Sequence, residues 1–336
     1  MGDEPTLEDW RKLYQAARDF KEVAPWRWMA DTDLFGVRDP EGQTVAYCSV
    51  LGQMGEVFGL VAYLDTEGLI SFCRVAEADE EERFEAYARQ NCLAAFFGSR
   101  SELTDRDRAV IKELGLRFRG STDWPLFRRH RPGYHPWYLT AEEARLFTVV
   151  LEQAAEFCLE LRDNLEILDP PQPGLVLVRV FEEGCGWRST WFRPPPWEES
   201  LPAPTSATLD RVAQQFPRSD DCWEAGFFHV PARVVEEKGR PPVYPLVMLW
   251  VDRASGMIIN LEVTKYREWE ALARSFLDAV AAAGKLPARI VTPQVEVIAL
   301  LKGFSKGLGI KLRQSQKVRS FAAAKRALFE HLSSRL

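Results

Sequence analysis

The chain has 336 residues, of which 46% are apolar and 27% charged, and its net charge is −6. That balance excludes wholesale disorder, and the length is about two domains' worth at roughly 150 residues each. The longest apolar runs, such as 93–97, fall far short of the ~18 residues of a membrane span. The first residues carry neither the basic flank nor the apolar core of a signal peptide, so a cytoplasmic protein without a membrane partner is expected. The six cysteines include no CxxC, and none of the four histidines lies three or four residues from another. Free thiols in a reducing compartment follow, and neither a zinc site nor a cofactor is expected.

In chain order, Thr6-x-x-Asp9 predicts a capped first helix with Trp10, Leu13, Tyr14, Ala17 and Phe20 on one face. A turn at Asp39-Pro40-Glu41-Gly42 separates a short strand at 35–37 from a strand at 45–51, and 57–64 completes a hairpin. Helices near 68–76 and 80–89, a strand at 92–97 and a helix over 105–114 follow, and 119–138 reads as an irregular aromatic stretch. Thr140-x-x-Glu143 caps a long helix with a wide apolar stripe. Leu168-Asp169-Pro170-Pro171-Gln172-Pro173-Gly174 cannot continue a regular element. The expected division is therefore an α+β domain over 1–168 and an α/β domain over 175–336, the proline-rich stretch 193–204 being a loop inside the second.

The second half predicts strands at 175–181 and 187–192, a helix at 209–216, and then strands at 223–235, 243–251 and 257–263. A helix carrying Trp269, Leu272 and Phe276, a strand at 289–292, a helix at 294–303, a strand at 309–312 and a helix at 319–332 finish the chain. The order from residue 223 is β-β-β-α-β-α-β-α. It resembles the ribonuclease H-like arrangement, and over 246–328 the spacing is similar to a retroviral-type integrase core. The matching stretch includes Asp252-x-x-Ser255-Gly256 and Leu286-Pro287-Ala288-Arg289-Ile290-Val291-Thr292. An ordinary α/β layer is the other reading of the same order. Integrase cores carry an Asp where Thr292 stands and another in the middle of the first strand. Here that strand offers Glu224 near its start, and Glu330 on the last helix is the only third carboxylate. Two-metal chemistry needs carboxylates converging on ions about 4 Å apart, so the resemblance implies a fold without the nuclease chemistry.

Pro25-Trp26-x-Trp28-Met29-x-Asp31-x-Asp33-x-Phe35-Gly36-Val37, Gly55-Glu56-Val57-x-Gly59-Leu60-x-x-Tyr63, Trp124-Pro125-x-Phe127 and Pro132-Gly133-Tyr134-x-Pro136-Trp137 resemble a bacterial two-domain family of domains of unknown function. That resemblance implies no activity, cofactor or catalytic residue.

Charge is distributed unevenly. From Lys285 onward eleven basic residues face two acidic ones, a net +9 that leaves the rest of the chain at −15. Such asymmetry marks a surface that meets an anion, or else a basic segment packed on the acidic remainder. The candidate binding residues are Lys302, Lys306, Lys311, Arg313, Lys317, Arg319, Lys325 and Arg326. The best carboxylate cluster for a metal is Asp31, Asp33 and Glu56, whose plainer reading is turn and cap chemistry. Gly303-Phe304-Ser305-Lys306-Gly307 spells GxSxG. It lacks the strand before and helix after the serine that a nucleophile elbow needs, and its glycines read as a helix C-cap followed by a turn. The sequence thus points to a non-catalytic binding or adaptor protein whose basic C-terminal surface contacts nucleic acid or an acidic partner. The alternative is a metal-dependent hydrolase or nuclease using Asp31, Asp33 and Glu56, or Glu224 and Glu330.

Overall fold

A computed structural model describes residues 3–42 and 44–333. It divides into two compact units, residues 1–197 and 198–336.

Thr6 caps α1 (Leu7–Val23): its side chain accepts from the Asp9 amide while the Asp9 carboxylate accepts from the Thr6 amide. The chain then forms β1 (Phe35–Arg38), β2 (Val45–Leu51) and β3 (Phe58–Leu64), and continues into α2 (Asp65–Glu77), α3 (Arg83–Ala88) and β4 (Cys92–Gly98). Next come α4 (Asp105–Glu113), β5 (Trp124–His130), α5 (Ala141–Leu161), β6 (Val176–Glu182) and β7 (Gly186–Phe192). The seven strands make one sheet in the order β5-β4-β3-β2-β1-β6-β7. All its pairings are antiparallel except β1 with β6. Alternation along each strand divides the core in two. Phe35, Cys48, Leu60 and Leu93 face α1 and α5 with Phe20, Phe147 and Phe157. Tyr47, Val61, Tyr63 and Val178 line the other face, where Leu69 and Phe72 of α2 pack.

The second unit holds α6 (Ser206–Gln215), β8 (Cys222–His229), β9 (Leu246–Asp252), β10 (Ile258–Thr264), α7 (Trp269–Ala283), β11 (Arg289–Thr292), α8 (Val295–Leu308), β12 (Lys311–Gln314) and α9 (Arg319–Ser333). Its sheet runs β10-β9-β8-β11-β12. β9 is antiparallel to both neighbours, whereas β8, β11 and β12 are parallel. This is the ribonuclease H-like order, α+β in the first unit and α/β in the second. Trp223, Met248, Trp250 and Ile290 pack under α7 and α8, with Phe276 and Phe304 meeting at 5.1 Å between ring centroids. Phe228, Leu249 and Val291 pack under α9 with Phe321 and Ala324.

Four expectations are corrected. The stretch 119–138 is not irregular, because Trp124–His130 pairs with β4 along its whole length as the edge strand β5. The break expected between 168 and 175 lies inside the first unit. The prolines there do end a helical segment, but β6 then returns to pair beside β1, with Val178 opposite Gly36. A Cβ at Gly36 would stand 2.8 Å from a Val178 methyl, so only glycine permits that approach. The proline-rich stretch 193–204, expected inside a domain, instead spans the boundary. Finally, Gly303 and Gly307 belong to α8, whose left-handed cap is Gly309 at φ +65°. A Cβ would stand 2.6 Å from Pro204 Cδ at Gly303 and 2.4 Å from Leu209 Cδ1 at Gly307. Close packing, not a turn, explains both.

A candidate anion-binding cleft

The basic residues expected to share one surface are divided by the second sheet. Lys302 and Lys306 are exposed on α8, on one side. Lys311 and Arg313 stand on β12, two residues apart, and so project to the same side. Their parallel partners on β11 are Arg289 and Val291, and those pair in turn with Cys222 and Glu224 on β8. Val291 packs with Phe321 of α9, which places all six on the α9 side. Lys317 and Arg319 are exposed where the chain turns into α9. Arg326 is exposed, while Lys325 is half-buried, its ammonium 5.2 Å from the Phe228 ring centroid and 5.9 Å from that of Phe329.

Lys311 and Arg313 open onto a cleft of about 540 Å³ at the start of the parallel strands. Arg253 and Arg289 complete its charged lining; Cys222 and Val291 contribute to its floor, and among the described residues no carboxylate lines it. Arg289, Lys311 and Arg313 are exposed, and their side chains form no hydrogen bond or ion pair with a described residue. Neighbouring strands lie about 4.8 Å apart, so Arg289 and Lys311 oppose like charges across the ladder. Such juxtaposition costs a few tenths to about 1 kcal/mol per pair.

Arg253 has a second role. Its Nε lies 3.3 Å from Oε1 of Glu224, which is only 1% exposed. Oε2 of Glu224 accepts from the Phe321 amide at 2.9 Å. The buried carboxylate of β8 therefore sits at the positive N-terminal end of α9 and fixes that helix to the sheet. Ser320 Oγ donates to the Arg253 carbonyl at 3.1 Å, tying the same turn down again.

The carboxylates expected for a metal do not converge. Among the described residues no three His, Cys, Asp or Glu side chains form a group able to hold an ion. Asp33 accepts from the Ala30 amide at 2.7 Å, as a turn residue does. Asp31 and Glu56 are exposed. Glu330 is exposed near the far end of α9, about 13 Å of helix beyond the turn that Glu224 caps. Thr292 is fully buried and accepts from the Gln294 amide at 3.2 Å. In the middle of β8, a Cβ at Gly226 would stand 2.8 Å from the Phe321 ring, which fills the space a first-strand carboxylate would need. Ser305 Oγ donates to the Ile310 carbonyl inside the C-terminal turn of α8, which leaves no nucleophile elbow.

Residues 10–179 match the family described as Domain of unknown function (DUF7309), half of the chain. The chain belongs to that family. Residues 208–329 of this DUF7309 chain also match a second family, Domain of unknown function (DUF6930). Among solved structures it is similar to the HTLV-2 integrase catalytic core domain in complex with magnesium. The dimeric form gives 21% identity and a TM-score of 0.25, over 35% of this chain and 74% of that one. The trimeric form gives 22% and 0.24 over the same shares. It is similar too to the simian T-cell lymphotropic virus intasome in complex with the PP2A regulatory subunit B56 gamma, at 16% identity and a TM-score of 0.27, over 41% of this chain and 48% of that one. No curated protein matches. No helix among the described residues of the DUF7309 chain is long and apolar enough to cross a membrane.

Sequence reasoning missed Arg253 because it lies thirty-two residues before the basic run. The available signal was its place in the Asp252-Arg253-Ala254-Ser255-Gly256 hairpin turn, which returns the chain to the start of β8. Arg289 entered the charge count, but it was not recognised as Lys311's neighbour without the register.

Proposed function

We propose that the protein is a non-catalytic binding or adaptor protein of the bacterial cytoplasm, whose second unit takes a polyanion in the cleft between Arg253, Arg289, Lys311 and Arg313. The observation that carries this reading is the like-charged pair Arg289 and Lys311 opposed across β11 and β12, with Arg313 beside it and no carboxylate among the described residues of the lining. A fold keeps such a repulsion at no gain to itself, and an arriving anion relieves it. Three of the four cations are arginines, whose planar forks suit bidentate contact with phosphate, so nucleic acid is favoured over an acidic protein. Among the described residues the cleft lining holds no aromatic ring. Binding therefore rests on backbone phosphates, with little sequence preference.

The test is fluorescence anisotropy with a short labelled duplex across a salt series. Three otherwise unpaired cations give a log–log slope of about −3, at roughly −0.9 per neutralised phosphate. Lys311→Gln together with Arg313→Gln should lower that slope by about two and weaken all sequences alike. If low salt brings no binding of single- or double-stranded nucleic acid, the nucleic-acid reading fails and an acidic protein becomes the partner to seek.

A further inference from the structure

The first unit carries a separate cleft of about 470 Å³, where the end of α1, the end of β4 and the segment after α4 meet the start of β5. That volume lies within the ~300–1,000 Å³ of small-molecule sites. Its charged lining is Arg18, Lys21, Arg117 and Arg119 against Glu22 and Asp123. Lys21 is engaged by Asp123, and the Arg18 guanidinium sits 6.0 Å from the Phe118 ring centroid. Arg117 and Arg119 are different. Both are exposed, they stand two residues apart in the irregular segment after α4, and neither side chain bonds a described residue. Between them Phe118 is half-buried and stacked on Tyr14 at 6.0 Å, and with Pro125 it gives the cleft an apolar wall.

We infer that this cleft binds a phosphorylated small molecule with a flat apolar body, of nucleoside monophosphate size, its phosphate on Arg117 and Arg119 and its ring system along Phe118. Two arginine forks on the lining of one cleft can close on one phosphate. An aromatic wall adds stacking to a ring system and nothing to a bare anion. The inference does not rest on the second unit's cleft, since its residues all belong to the first.

The experiment is isothermal titration calorimetry on the full chain with adenosine monophosphate, adenosine and inorganic phosphate as separate titrants. Adenosine monophosphate should bind one to one, at least tenfold more tightly than either of its parts. Arg117→Gln with Arg119→Gln should weaken it at least tenfold while the melting temperature stays unchanged, both side chains being exposed. Phe118→Leu should weaken the monophosphate and leave inorganic phosphate alone. Absence of monophosphate binding at millimolar concentration would overturn the inference. So would equal affinity for inorganic phosphate, or binding unaltered in the double variant.

Discussion

Removing β6 and β7 should unfold the first unit, although a proline-rich break precedes them. A fragment of residues 1–174 retains α1, α5 and five strands, but it loses Leu177, Val178 and Val180, which are 6%, 0% and 7% exposed. At about 1.5–3 kcal/mol for each buried aliphatic side chain, their loss costs roughly 5–9 kcal/mol, an upper estimate because unfolded chains bury some of this surface already. Loss of Arg179, which bonds Glu156 at 3.2 Å and Glu160 at 3.4 Å from a position only 6% exposed, adds to that. A domain is typically stable by about 5–15 kcal/mol. The fragment 1–174 should therefore give no cooperative transition in urea, whereas 1–197 should unfold in one step. Limited proteolysis of the full chain should cut within 193–204 before it cuts at 168–175. A 1–174 fragment as stable as 1–197 would refute the reasoning, and would mean that β1 tolerates an open edge.

Other outcomes follow from single sites. Burial, with Arg129 and Arg128 beside it, pushes the His130 imidazole down to about 4 from an ordinary 6.5. The unfolded chain then binds more protons between those values, so stability present above pH 6.5 falls as pH drops toward 4, by about 3 kcal/mol in all; denaturant midpoints across that range, compared with those of His130→Phe, check it. Gly303→Ala should cost about 1–3 kcal/mol because Pro204 cannot turn aside, readable as a lowered melting temperature. The chain should show no magnesium- or manganese-stimulated cleavage of RNA, DNA or hybrid duplex, and turnover abolished by Glu330→Ala would reverse that expectation. Glu224→Gln should loosen α9 first, seen as faster hydrogen exchange at the Phe321 amide than in the sheet.

Where local chemistry decides, the sequence was legible. The capping boxes at Thr6 and Thr140 placed α1 and α5, and the β-β-β-α-β-α-β-α order gave the second sheet. Trp124–His130 was not, because an edge strand with Pro125, Arg128 and Arg129 lacks alternation, and its pairing with β4 supplies what its own pattern does not. The unit boundary was obscured for a related reason. Prolines signal the end of an element, but they do not say which sheet the next strand joins. Charge counting found the basic segment yet could not say which of its residues share a face. The register did for Lys311, set beside Arg289, and the packing of α8 on the opposite face carries Lys302 and Lys306 away from them.

The sheet of the second unit reverses its winding direction between β8 and β11. In open α/β sheets the chain departs in opposite directions from two such strands, and the crevice left beyond their carboxyl ends is where ligands ordinarily lodge. Here Gln294 occupies that place. Its amide oxygen accepts from the Phe227 amide at 2.8 Å and its amide nitrogen donates to the Phe227 carbonyl at 2.7 Å. One side chain thus imitates a further rung of backbone pairing just where β11 has ended, and it bridges β8 to the segment that follows β11. With Gln294 in the habitual place of a ligand in this architecture, the cleft proposed above lies at the other end of the same strands, where Arg253, Arg289 and Lys311 stand.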